Sequence, residues 1–190
     1  MKNIFLLGLV LLLGSFSSTA AALLTSDKLE SQVTAITNFD IDRYLGRWYE
    51  IARLPTYFEK QCLAPITVDY NRDGDEMTII NSCAQLSGES NVTYGIAYLS
   101  AENLNGDGKL VRSSMPSWLR WTHLGRGDYW IIYVDYLYAV VGSPDHKYLW
   151  IYSRQETPPL QDIQNLLSLA QQQGFESASM VFNYPSYYAK

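Results

Sequence analysis

The chain is constrained most by a run of eight short segments rich in tyrosine, valine and isoleucine, each closed off by turn residues and followed by one stretch of helical period. The segments are residues 46–54, 65–71, 76–83, 91–99, 109–114, 128–134, 138–142 and 148–154. Asn71-Arg72-Asp73-Gly74-Asp75 is a tight hairpin signal, and Asn103-Leu104-Asn105-Gly106-Asp107-Gly108 marks a second turn. Eight consecutive strands with mostly short connections fit an all-β, up-and-down antiparallel barrel, whose closure removes the edges of an open sheet. The period then changes. Thr157 is placed to cap a helix with Pro158 in its first turn, Leu160, Ile163, Leu166, Leu167 and Ala170 recur at helical spacing, and Gly174 is a stop signal. This single C-terminal α-helix is expected on the outside of the barrel, with a short strand over 179–183 ending the fold.

The amino-terminal stretch has the pattern of a secretory signal. Lys2 precedes an apolar run over 4–13, and Ser18, Thr19, Ala20 and Ala21 offer the small residues that a signal peptidase reads. The run is shorter than the roughly 20 residues of a membrane-spanning helix. The expected organisation is a cleaved signal over 1–20, an N-terminal arm over 21–38 and one barrel domain over 39–190. The destination is periplasmic or secreted. No cysteine follows the apolar run to carry a lipid, so lipid anchoring is not expected. Export into an oxidising compartment favours a disulfide between the two cysteines, Cys62 and Cys83, over two buried thiols.

Charge and chemistry narrow the function. With 19 acidic against 14 basic residues and no basic cluster, the chain is a poor partner for nucleic acid. Its two histidines, His123 and His146, stand in expected loops without the convergent ligands a zinc site needs. The 103–108 turn lacks the full spacing and closing glutamate of a calcium loop. No nucleophile–histidine constellation stands out. No metal, no cofactor and no enzymatic role are expected.

Gly46-Arg47-Trp48-Tyr49-Glu50-Ile51-Ala52-Arg53 resembles the first conserved region of the lipocalins, and Trp150-Ile151-Tyr152-Ser153-Arg154 resembles the third. Asp135 to Gly142 resembles the second more loosely, with Tyr133 where that region's first aspartate is expected. The resemblance spans roughly 39–184 and is greatest to the bacterial and apolipoprotein D-like branch, many of whose members carry a cysteine pair where Cys62 and Cys83 stand. It implies a carrier or scavenger of a small hydrophobic ligand, a fatty acid or lysophospholipid for this branch. The alternative is an envelope interaction protein with a filled barrel. Gly46, Trp48 and Arg154 are read as structural: a tight entry to the barrel floor, an inward ring, and a guanidinium lying across it.

Alternation then names a cavity wall. With Arg154 across the floor, Tyr152, Trp150 and Tyr148 face inward. The resemblance puts Gly95, Ala97 and Leu99 inward on the fourth strand, where small residues leave space, and Ala52 does the same on the first. Leu110 and Arg112 share the inward face of the fifth. An inward Arg112 needs an anion, either Glu50 or a ligand headgroup; a register shifted by one would instead turn it to solvent. In a lipocalin the 115–127 loop lies at the mouth, so Trp118 and Trp121 either touch a ligand tail, make transient contact with a membrane surface, or fold back to close the opening.

Overall fold

The computed structural model describes residues 32–100, 103, 106–122 and 124–183. The expected signal over 1–20, His123 and the tail beyond 183 lie outside them. A one-turn helix α1 (Ile41–Tyr44) leads into β1 (Gly46–Arg53), β2 (Cys62–Asp73), β3 (Glu76–Gln85), β4 (Ser90–Leu99) and β5 (Lys109–Ser113). A 3-10 turn at Ser117–Thr122 precedes β6 (Arg126–Val134), β7 (Tyr138–Gly142) and β8 (Leu149–Ser153), then α2 (Leu160–Gln172) and β9 (Val181–Phe182). Strands β1 to β8 pair antiparallel with their sequence neighbours, and β8 returns to β1 to close the barrel.

The sequence does not announce α1. Asp40 caps it, its carboxylate accepting from the N–H groups of Asp42 and Arg43. At the other helix the expected cap is corrected. The N-cap of α2 is Pro159, with no side-chain hydrogen bond, and Thr157 lies outside the helix. Proline fixes φ near the value that the first turn requires, so the helix starts without a hydroxyl.

Two cores lie back to back on the sheet. Inside, Trp48, Val68, Tyr70, Met77, Ile79, Ala97, Leu110, Ile131 and Val141 fill the closed end. Outside, Ile163, Leu166 and Ala170 of α2 pack on Ile51, Ile132, Val140 and Ile151. Phe175 joins this outer core so closely to Gly142 that a Cβ there would stand 2.6 Å from its ring.

Strand β2 is longer than expected because it begins at Cys62 and bulges between Leu63 and Thr67 around the Ala64–Pro65 peptide. Above Glu50, β1 no longer pairs with β2; Ala52 and Arg53 pair with Phe182 and Val181 of β9 instead. Cys62 and Cys83 form a disulfide, with Cα atoms 5.4 Å apart. It ties the mouth end of β2 to that of β3.

Candidate functional site

The floor is built around Trp48 and Arg154. Gly46 enters β1 with φ +93°, and a Cβ there would lie 3.4 Å from the Arg154 guanidinium. The Trp48 ring is fully buried, and its Nε1 donates to the Tyr44 carbonyl at 2.8 Å. The Arg154 guanidinium stands 3.8 Å over that ring and donates to the carbonyls of Arg43, Tyr44, Leu45 and Arg47 at 2.7–3.1 Å. One side chain thus satisfies the backbone groups that a turn into a closed barrel leaves over.

Above the floor stands a layer of buried phenols. Tyr129 shares hydrogen bonds with Tyr44 and Tyr70, and Tyr152 lies among them. Burial raises the pKa of all four, so they are neutral hydrogen-bonding groups. A void of about 20 Å³ lies at this level, bordered by Phe58, Glu59, Tyr70, Ile79, Asn81, Arg112, Tyr129, Trp150 and Tyr152. That is room for about one water.

The open space is higher and has two lobes. The larger, about 310 Å³, is bordered by Ile66, the Cys62–Cys83 disulfide, Asn81, Asn91 and Thr93. The smaller, about 190 Å³, is bordered by Tyr129, Tyr148, Trp150 and the 125–128 backbone. Phe58 and Arg112 border both lobes and the void beneath. Tyr148 and Trp150 stack with ring centroids 5.7 Å apart and planes 4° from parallel.

Arg112 therefore faces inward, in register with the fully buried Ala97, and the solvent-facing alternative is excluded. Among the described residues it enters no ion pair. Its charge lowers the Tyr70 pKa against the larger, opposite effect of burial. Glu50 is not its partner. Glu50 is buried and accepts from Arg53 Nη1 at 3.1 Å and Asn183 Nδ2 at 2.6 Å. Arg53 also pairs with Glu59, 3.3 Å away, and donates to the Glu59 carbonyl. Two carboxylates thus share one buried guanidinium, and the cluster holds the 55–61 loop that carries Phe58.

Two expected wall residues and the two mouth tryptophans are corrected. Ala52 is buried in the outer core, not the cavity. A bulge between Glu50 and Ala52 flips the parity of β1, so Ala52 opposes Ile151, and Arg53 opposes the inward Trp150. Leu99 is exposed at the floor end of β4, where the strand has run past the cavity. Trp118 and Trp121 do not roof the mouth; they are 74% and 77% exposed. Their loop folds back over the outer wall, where Arg120 pairs with Glu76 and Ser113 is covered.

Of the others, Ala97 and Leu110 belong to the packed floor rather than to open space. Gly95 does leave space, and Arg112 uses it: a Cβ there would stand 3.7 Å from Arg112 Nε. Tyr148, Trp150 and Arg112 border the smaller lobe, and Trp150, Tyr152 and Arg112 border the void beneath it. Sequence reasoning missed Phe58, Glu59, Asn81 and Thr93. Alternation along β3 from Met77 through Ile79 reaches Asn81, so that signal was present. Nothing periodic marks the loop residues Phe58 and Glu59.

Glu50 supplies a test of this geometry. Burial first, then the nearby Glu59 charge, pushes its pKa from 4.5 to about 8 against the pull of Arg53 and Asn183. The folded protein then holds a proton that the unfolded chain has released, so this group makes stability fall as pH rises from 4.5 to about 8. Glu50→Gln keeps an acceptor for Arg53 and Asn183 but cannot titrate. Melts across that window should slope less for the variant; identical slopes would refute the buried carboxylate.

A family model for the lipocalin-like domain matches residues 39–184, nearly the whole described barrel and its helix. The chain belongs to the lipocalin family. An outer membrane lipoprotein Blc of Citrobacter freundii is 35% identical over 154 residues, 79% of this chain and 81% of that protein. Apolipoprotein D of Bos taurus is 29% identical, covering 75% of each chain. Insecticyanin from the tobacco hornworm superposes with a TM-score of 0.62 at 20% identity, covering 82% of this chain and 85% of that one, a likeness of fold alone. Lipocalins are binding and transport proteins rather than enzymes, and the closed antiparallel barrel with one following helix is the lipocalin architecture.

Proposed function

We propose that this lipocalin is an exported carrier or scavenger of a small amphiphilic anion, of which a fatty acid or lysophospholipid is the simplest kind. The ligand sits in the upper half of the barrel, with Arg112 as the counter-charge. The observation that carries the reading is a half-buried guanidinium that borders all the open space described above and has no carboxylate partner among the described residues. Such a charge is costly to hold away from water without an anion, and a carboxylate or phosphate offers two acceptors to its fork. Apolar parts of the ligand gain roughly 0.8 kcal/mol per buried methylene, less the cost of ordering. Trp118 and Trp121 on the outer wall are natural anchors for a transient membrane-surface contact.

Titrating decanoate and decanol into wild type and Arg112→Leu tests the site. Decanoate binding should weaken by about 1.5–3 kcal/mol, and decanol binding far less. Unchanged decanoate affinity would remove Arg112 from the site. The filled floor also favours a second reading, an envelope interaction protein that uses its outer surface. Absence of binding by either probe would support that reading.

A further inference from the structure

Resting on that reading, the geometry points to a more specific ligand: a compact aromatic carboxylate, bound with its charge inward on Arg112 and its ring against the Tyr148–Trp150 stack. Three observations converge. First, the space beneath Arg112 holds about one water, so no alkyl chain can run down past it. The phenols Tyr70, Tyr129 and Tyr152 and the Asn81 amide stand there among Phe58, Ile79 and Trp150, so hydrogen-bonding groups are at hand for a hydrated charged head. Second, Arg112 and the stacked pair border the same lobe of about 190 Å³. A cavity of about 150 Å³ accepts benzene, so this lobe has the size of a ring rather than of a long chain. Phe58 stands beside it, its ring centroid 6.4 Å from that of Tyr148. Third, the larger lobe sets Asn81, Asn91 and Thr93 beside Phe58, Ile66 and the disulfide, a mixed lining without the parallel ring pair that marks the smaller lobe.

Charges around the site are compatible with an anion there. Glu59 lines both the larger lobe and the void beneath Arg112, and there its carboxylate is engaged by Arg53 and by the Thr56 hydroxyl. Asp128 and Arg126, beside the smaller lobe, are exposed on the rim.

The probes are naphthoate, naphthalenemethanol and the alkanoates from hexanoate to palmitate. Naphthoate should bind the wild-type protein and quench tryptophan fluorescence. It should lose about 10–100-fold in affinity in Arg112→Leu and about 2–10-fold in Tyr148→Leu, the range of one aromatic pair. Naphthalenemethanol should be far less sensitive to Arg112→Leu. Alkanoate affinity should stop rising near octanoate, because further methylenes project from the mouth. Magnetisation transfer between naphthyl protons and the Tyr148 and Trp150 rings in the wild-type protein keeps the test independent of whether the variants fold. Affinity that climbs through palmitate and ignores Arg112→Leu would mean a tail-inward ligand; it would overturn this inference and leave the carrier reading standing. If neither naphthoate nor any alkanoate binds, the carrier reading falls with it.

Discussion

Replacing Trp48 by alanine is expected to destabilise the protein by about 3–5 kcal/mol, the range for large aromatic truncations in packed cores. The ring is fully buried among Tyr44, Val68 and their neighbours, and nothing at a closed barrel floor can collapse into the space it leaves. It is also the surface on which the Arg154 guanidinium lies at 3.8 Å. Without it, that cation keeps its carbonyl partners and loses its face. Trp48→Phe should cost much less, because it restores most of the apolar area and forgoes mainly the 2.8 Å bond to the Tyr44 carbonyl. The measurement is chemical denaturation of all three proteins. For a chain of this size each kcal/mol moves the melting temperature by roughly 2–4 °C. If Trp48→Ala melted with the wild type, the Trp48 ring would not be what holds the barrel floor together.

The sequence carried the barrel because its signals are local and redundant. Period-two alternation, turn residues between strands and the change of period at α2 all agree, and the floor residues Gly46, Trp48 and Arg154 stand where the motifs place them. The site was legible only where alternation runs unbroken. On β8, Tyr152 and Trp150 kept their inward face; on β5, so did Leu110 and Arg112. On β1 a single bulge at Ile51 exchanged Ala52 for Arg53, and no residue type in 46–53 announces it. That one slip hid Arg53, the partner of Glu50, which lies three residues along the same strand. The outer-wall position of Trp118 was equally unreadable, because it depends on the long-range pairing of Arg120 with Glu76. Loop residues such as Phe58 carry no period at all.

Arg53→Met is the second substitution expected to cost about 3–5 kcal/mol, the penalty for breaking a buried ion pair by removing one partner. Methionine fills much of the arginine stem's volume, so the loss is electrostatic rather than a cavity. The side chains of Glu50 and Glu59 are only 1% and 14% exposed. With Arg53 gone they face each other across a dry junction where β1 leaves β2 for β9. Glu50 holds its proton up to about pH 8 in the intact protein, and losing Arg53 pushes its pKa higher still, so the penalty should stay level below about 8 and grow as pH rises past it, which a simple packing defect would not do. Glu50→Gln in the Arg53→Met background should recover part of the loss for the same reason. The 55–61 loop loses the bond from Arg53 to the Glu59 carbonyl, so Phe58 is held less firmly over the cavity and naphthoate should bind more weakly even where the protein is folded. Melts of the single and double variants across pH, with a naphthoate titration at each, decide the matter. A loss independent of pH and not rescued by Glu50→Gln would mean that Arg53 acts by packing alone.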